Sequence, residues 1–366
     1  MKKWLYVMIA AVCVLSFAVI GCAKPAPAPP TKPAAPPTKP AAEKVWTLTW
    51  EHWSTPTHRC FINTKRWGDA VMEASNGRIK FLYHTGGEPV PVRESLDALG
   101  KGTIDVLDTV CGYFSGKIGI GDFLLMPTNF RTYPDYFDMM HRSDVGKIID
   151  KVYREKANCT VLNWLGIFAA EGYIIGKKAK KIRHFEDFAG MKVRAAGGMP
   201  NETVKCLGGS PVTLIAGEIY TGMQRGTVDA GLLPFYCFEA YGLWEVADQY
   251  VYPEIFPVCG IPVWMNLDVW NSFPEDLQKM MIDLAHSPEM EKAAMDYVKE
   301  QDARIEEIGR EKYGIEFYTL PEEDQAKMFA AVAPVWDLYI ENCEKQGVGA
   351  EARQIEKLIH ERFFKE

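Results

Sequence analysis

No Gly-x-Ser-x-Gly elbow, no His-Glu-x-x-His and no phosphate-cradling glycine loop followed by Lys-Ser or Lys-Thr occurs in the 366 residues. The seven histidines are scattered through the chain. The familiar routes to nucleophilic, zinc-dependent and nucleotide-dependent catalysis are absent, so the chain does not read as an enzyme and asks for no cofactor. Cys-x-x-Cys is missing too. Past Cys13 and Cys22, the cysteines are Cys60, Cys111, Cys159, Cys206, Cys237, Cys259 and Cys343, odd in number and widely spaced. That pattern gives neither a disulfide framework nor a zinc site. There is no basic block, and 41 basic side chains face 48 acidic ones, which argues against nucleic acid as a partner. Beyond the first twenty or so residues, no stretch is long and apolar enough to span a bilayer.

What is present begins with Lys2 and Lys3, an apolar run from Trp4 to Ile20, then Gly21 and Cys22. A basic start, an apolar run and a small residue before the cut describe a secretory leader over residues 1–21. The ending Val19-Ile20-Gly21-Cys22 resembles a bacterial lipobox, whose cysteine is acylated; Cys22 is the expected lipid site. An uncleaved anchor helix is the alternative. Either way the body lies outside the cytoplasm. Residues 22–44 are a spacer, in which Pro-Pro-Thr-Lys-Pro-Ala-Ala occurs twice, at 29–35 and 36–42. Such a segment buries no apolar surface and extends at about 3.1 Å per residue, up to roughly 60 Å from the lipid. A stalk of that reach suits a membrane partner, and a passive display stalk equally well.

The body, 48% hydrophobic for the whole chain, has ordinary globular composition and the length of roughly two domains. Val45 to Trp50 reads as a strand, about Arg59 to Ser75 as a helix stopped by Asn76-Gly77, Arg78 to His84 as a second strand and Glu94 to Lys101 as a short helix. This rhythm predicts a parallel sheet with helices on its faces. Gly102-Thr103-Ile104-Asp105 recurs as Gly226-Thr227-Val228-Asp229, each after a short amphipathic helix, which suggests two lobes of related design. Pro274 to Lys312 is helix-rich, with Pro288 expected to kink or split it. Ala326 to Lys345 and Glu351 to Lys365 read as two further helices.

The strand Met191-Lys192-Val193-Arg194 ends in Ala195-Ala196-Gly197-Gly198. An arginine at the carboxyl end of such a strand points into the crevice where α/β sheets bind ligands, and its planar fork can hold a carboxylate. Pairing with a neighbouring acid is the competing reading. Aromatics supply apolar walls. Trp46, Trp50 and Trp53 cluster near the start, and Phe235, Tyr236, Phe238, Tyr241 and Trp244 follow the second repeat; most of these belong to the core.

In order and spacing, several segments together resemble the solute-binding proteins of tripartite ATP-independent periplasmic (TRAP) transporters, dicarboxylate-binding type. These are Gly77-Arg78-Ile79 before Gly86-Gly87-Glu88, Gly102 to Asp105, Phe185 to Arg194, Glu218-Ile219-Tyr220 and Gly226 to Asp229. The resemblance implies a two-lobed, periplasmic-binding-protein-like α/β fold, each lobe a sheet flanked by helices, with a long helix bridging both. It places the first lobe at 45–168 plus about 258–290 and the second at 169–257 plus about 291–366. It implies that Arg194 clamps a substrate carboxylate and that the ligand passes to membrane permease subunits. Glu88 falls at the cleft mouth, Trp53 and Tyr113 on the first-lobe wall, and Phe235 among the aromatics after the second repeat.

Departures from the family bear on the ligand. Leu233 stands where many relatives carry an asparagine, and Leu232-Leu233 replaces the Glu-Trp of the branch that binds 2-oxo acids through a metal ion. Tyr173 and Ile174 fall where relatives carry an arginine or glutamine, and Tyr173 is the expected replacement polar partner. No metal site is expected. The ligand so read is an organic monocarboxylate with an apolar or aromatic body, a 2-oxo or hydroxy acid included. A dicarboxylate carrier, a module of the same fold feeding a sensor, and an enzyme with an unfamiliar site are the alternatives.

Overall fold

The computed structural model describes residues 44–128, 131–253 and 255–363. The leader, Cys22 and nearly all of the spacer lie outside the described residues. Four strands come first: β1 (Trp46–His52), β2 (Ile79–Thr85), β3 (Val106–Asp108) and β4 (Cys159–Phe168). Five follow: β5 (Gly172–Gly176), β6 (Lys192–Ala195), β7 (Ser210–Thr213), β8 (Ala230–Leu233) and β9 (Ala247–Tyr252). Then β10 (Cys259–Asn266) joins the first group and β11 (Glu316–Thr319) the second. The result is two sheets, ordered β2-β1-β3-β10-β4 and β11-β9-β5-β8-β6-β7. The chain crosses between them at β4 to β5, at β9 to β10 and at β10 to β11.

Both sheets are mixed, which corrects the parallel arrangement expected from the strand–helix rhythm. β1 is parallel to β2 and β3, and β6 to β7 and β8, because helices carry the chain back over those strands. β10 arrives from the other sheet, where no local crossover sets its direction, and runs antiparallel to β3 and β4. In the same way β5 runs antiparallel to β8 and β9.

The repeated tetrapeptide has a physical job in both sheets. Gly102 and Gly226 each take a left-handed φ of 72° at the end of a short helix, a conformation that favours glycine. Three residues on, Asp105 Oδ2 accepts the Thr49 amide of β1 at 2.7 Å, and Asp229 Oδ2 accepts the Lys192 amide of β6 at 2.9 Å. Each aspartate thus ties the start of one strand to its parallel neighbour.

The helix Arg59–Ala74 is capped by His58, whose Nδ1 accepts the Cys60 amide at 3.3 Å. It buries Phe61, Trp67 and Val71. Trp67 meets Trp50 edge-on at 5.9 Å, in the middle of the first sheet's core. Pro288 does split the C-terminal region: helices Glu275–Ala285 and Pro288–Tyr313 are separate. Ser287 caps the second through the Met290 amide, and proline at the first helical position gives up only an amide that would lack a partner anyway. This 26-residue helix packs on β4 of the first sheet and β11 of the second, so it braces both. The stretch expected as one helix from Ala326 to Lys345 is two, Glu322–Val332 and Val335–Lys345. Pro334 breaks it, since its ring blocks the preceding turn and it carries no amide to donate.

Packing on the first sheet is tight enough to test by adding one methyl group. A Cβ on Gly146, in the helix Asp144–Ala157, would sit 2.0 Å from the Met140 carbonyl oxygen. Gly146→Ala is expected to cost about 1–3 kcal/mol, read as a lower midpoint in thermal unfolding. An unchanged midpoint would show that the turn at Met140 yields freely.

Candidate functional site

Arg194 lies on β6 between β7 and β8, paired with Val212 and Gly231. Its side chain is 2% exposed. Nε donates to the Leu214 carbonyl at 2.9 Å and Nη1 to the Leu232 carbonyl at 3.3 Å. Nη2 reaches the Tyr113 hydroxyl at 3.5 Å. A guanidinium has five N–H groups. Among the described residues three therefore have partners, and the fork is held by backbone oxygens rather than by a direct ion pair. On the neighbouring strand Gly231 leaves room for Ile219, whose Cδ1 would fall 2.1 Å from a Cβ there.

The guanidinium forms part of the wall of a small cavity between the two sheets. Trp53, His58, Val110, Tyr113 and Leu125 come from the first side, and Ala196, Ala216, Leu233, Pro234, Tyr236, Cys237 and Tyr241 from the second. Phe168 and Glu171, at the β4–β5 crossing, complete it. Its free volume is about 30 Å³, room for a water or two but not for an organic acid. A groove of about 330 Å³ adjoins it and shares Trp53, Ala216 and Tyr241 with it. Three hydrogen bonds close the cleft between: Ser54 Oγ to Tyr241 hydroxyl at 3.0 Å, the Ala216 amide to the Tyr113 hydroxyl at 3.1 Å, and Tyr236 hydroxyl to His58 Nε2 at 3.3 Å. A guest larger than water enters only when these part.

Deeper down, Gly197 and Gly198 hold φ of 121° and 51° where β6 turns into the helix Gly198–Cys206. A Cβ on Gly198 would meet Asp122 Oδ2 and Ser115 Oγ, both at 2.2 Å. Asp122 accepts the Ser115 hydroxyl at 2.6 Å and the Met199 amide at 3.3 Å, pinning the first side to the second. Burial pushes its carboxyl up to about 7.

Two side chains can bring charge to the cavity near neutral pH. One is Arg194. The other is Glu171, 8% exposed, whose carboxyl burial pushes up to about 8 while Arg194 pulls it down. Burial holds His58 well below its usual range, with His52 and Arg59 adding to the effect, so His58 is neutral. Burial likewise pushes Cys237 up to about 12 and holds the Tyr236 and Tyr241 hydroxyls well above their usual range. The rest of the wall is apolar or aromatic, so a negative guest has one cation to seek.

Of the residues singled out from sequence, Arg194, Tyr113, Trp53 and Leu233 line this cavity. Tyr173 is fully buried and packs against Phe188, with ring centroids 4.7 Å apart, and Phe235 packs among Tyr250, Tyr252 and Phe317. Both lie outside the cavity's lining. Glu88 is exposed in the turn after β2, where its charge helps to raise the buried Glu51 carboxyl. Sequence reasoning missed Glu171 and His58. A signal for Glu171 existed: it is a lone acid in Ala169-Ala170-Glu171-Gly172, between two apolar strands. Leu232 and Leu233 bring no carboxylate to the wall, and the Leu232 carbonyl is already taken by Arg194, so the residues present do not fit a ligand-bridging metal ion. Among the described residues no group of three or more acids, histidines or cysteines could hold a metal.

A wider groove of about 420 Å³ lies elsewhere on the first side, along the helix Asp144–Ala157. Its cations are already engaged, Lys147 with Asp144, Lys151 with Glu351 and Arg154 with Asp150, and it contains no buried fork comparable to Arg194.

Comparison with known proteins agrees with this geometry. A monocarboxylate 2-oxoacid-binding periplasmic protein of Nostoc is 30% identical over 224 residues, 60% of this chain and 60% of the relative's length. The ectoine-binding periplasmic protein of Halomonas elongata is 28% identical over 232 residues, 61% of this chain and 63% of that one. The chain thus spans less than two thirds of these curated relatives. Among solved structures, a TRAP periplasmic solute-binding protein of Desulfovibrio salexigens with bound orotic acid superposes with a TM-score of 0.77 at 20% identity, covering 87% of this chain and 98% of that one. One from Rhodoferax ferrireducens with bound malonate gives 0.74 at 23% identity, covering 87% and 100%. At those identities the likeness is one of fold. Residues 51–342 match the family described as bacterial extracellular solute-binding protein, family 7 (DctP), and the chain belongs to that family of transport proteins, which bind and do not catalyse.

Proposed function

We propose that this protein captures a small organic monocarboxylate outside the cytoplasm and delivers it to the permease of a TRAP transporter. In this reading the acylated Cys22 holds it at the membrane and residues 23–44 give it reach. The two sheets are the cores of two lobes that part to admit the acid and close over it. The observation that carries the reading is the buried Arg194, fixed by carbonyls and facing a cavity of aromatic and aliphatic walls. Its remaining N–H groups suit one carboxylate in a two-bond fork. Trp53, Tyr113 and Leu233 shape the body of the guest. The Nostoc relative, named for monocarboxylate 2-oxo acids, favours the same ligand class.

A dicarboxylate fits less well. Its second charge would meet neutral His58 or the acid Glu171 rather than a second cation, and a buried charge without a partner is expensive. Titration calorimetry with branched or aromatic 2-oxo acids against succinate and malate tests this. The monocarboxylates are expected to bind at least about tenfold more tightly, the equivalent of about 1.4 kcal/mol. Preference for succinate or malate would overturn the assignment.

A further inference from the structure

We propose that Glu171 is a specificity-determining residue that meets the guest as a neutral carboxyl, donating a hydrogen bond to an oxygen of the bound acid, so that each monoanion binds together with one proton. This rests on the reading of the Arg194 cavity as the acid-binding site.

Position comes first. Glu171 lines the same cavity as Arg194, and its Oε2 is shut away from solvent with no hydrogen-bond partner among the described residues. A buried polar atom left in that state is costly unless something else completes it. The cavity has room for a water or two there, and an oxygen of the guest would take that place.

Charge counting supplies the second step. Without a guest the cavity holds one positive group, Arg194, and one potential negative, Glu171. The groups packed around Glu171 add no other charge near neutral pH. Tyr173 on β5, Tyr250 on β9, Cys237 after β8 and Cys259 on β10 are all pushed upward by burial and stay neutral, and His58 opposite is held neutral too. An arriving carboxylate would therefore set two negatives against one cation in a space closed to water. Like charges so confined do not both stay ionised. Arg194 keeps the guest charged, so Glu171 takes a proton from solvent, without any covalent bond forming or breaking. Burial already holds Glu171 at about 8, so this proton is nearly in place at neutral pH.

A neutral carboxyl is a donor where a carboxylate is only an acceptor. It therefore selects a guest that presents an acceptor oxygen, such as the keto oxygen of a 2-oxo acid. A 2-amino acid presents an ammonium instead, which would pair with ionised Glu171 and need no proton.

The sign follows from linkage. Glu171 titrates at about 8 in the free protein and higher in the complex, so affinity is full below 8 and is lost as pH rises through it. The experiment is calorimetry with 2-oxoisovalerate and phenylpyruvate in buffers of different ionisation enthalpy. Proton uptake should be near zero at pH 6 and approach one at pH 9, while Kd stays level below 7 and rises about tenfold per unit above 8. Glu171→Gln, which keeps a donor and cannot ionise, should bind with level affinity at every pH and no uptake. Glu171→Met should also be level with pH but weaker, for want of the donor. Wild-type binding of these acids with no proton uptake and no pH dependence would overturn the role of Glu171 alone. So would valine or phenylalanine binding more tightly than their oxo counterparts without uptake. If none of these acids binds at any pH, the reading of the cavity fails as well.

Discussion

Arg194→Ala is expected to weaken binding of the organic acid by at least about thirtyfold. Truncating one partner of a buried, hydrogen-bonded charge pair costs about 2–5 kcal/mol, and each 1.4 kcal/mol is a factor of ten. The fork here is 2% exposed and its orientation is set by the Leu214 and Leu232 carbonyls, so water has little access to replace it, and Arg59, against the Tyr236 ring, is already paired with Asp302. Arg194→Lys should recover only part of the loss, because an ammonium cannot make two parallel bonds to one carboxylate. Glu171 bears on the folding of the alanine variant. Without Arg194 its carboxyl simply stays protonated, so the variant should remain folded by circular dichroism while losing its ligand. An alanine variant that binds within a few-fold of wild type would move the anion site elsewhere in the molecule.

The second large effect concerns the brace rather than the cavity. Arg59 begins the helix beside the cleft, is 4% exposed and pairs with Asp302 on the long helix Pro288–Tyr313. Its guanidinium also lies 4.1 Å from the centre of the Tyr236 ring, which lines the cavity. Asp302→Ala leaves a buried cation without its counter-charge and is expected to destabilise by about 3–5 kcal/mol. The unfolding midpoint should drop by roughly 1–2 °C per kcal/mol for a chain of this size. Replacing both partners, Arg59→Met with Asp302→Leu, should restore most of that stability, since an apolar pair needs no compensation. If Asp302→Ala alone melts like wild type, the contact is a surface pair of little consequence. A double variant as unstable as the single one would show that the charge pair itself, and not the desolvation of Arg59, holds the long helix.

This pair is one of several contacts that join the two sides of the cavity. Hydrogen bonds across the mouth, from Ser54 to Tyr241 and from Ala216 to Tyr113, are few and each is worth roughly 1 kcal/mol net. Asp122 at the floor and the Arg59–Asp302 pair at the side are buried and bind the halves more firmly.

Much of this was legible in the residues. β-formers and capping signals placed β1 and β2 and the helix Arg59–Ala74 to within about two residues, because these elements depend on local pattern. The tetrapeptide repeat was visible because two parallel strand pairs need the same glycine turn and the same aspartate tether. Arg194 stood out at a strand end, where pairing with a neighbouring acid was the competing reading, and the family resemblance gave it a carboxylate to hold. Mixed sheet direction was not legible, since β10 pairs with strands of the first sheet far back in the chain, β4 lying more than ninety residues earlier. The break at Pro334 was there to be read and was passed over in favour of the apolar periodicity on either side.

The amino-acid order alone determined the class of fold, the extracytoplasmic character and the single strong cation, for all of these follow from neighbours along the chain. Only the tertiary structure decided that Glu171 faces Arg194 while Tyr173, two residues on, belongs to the core. Strand alternation would put residues two apart on the same side, but Glu171 lies in the bend between β4 and β5 rather than on either strand, so which way it faces is settled by distant packing.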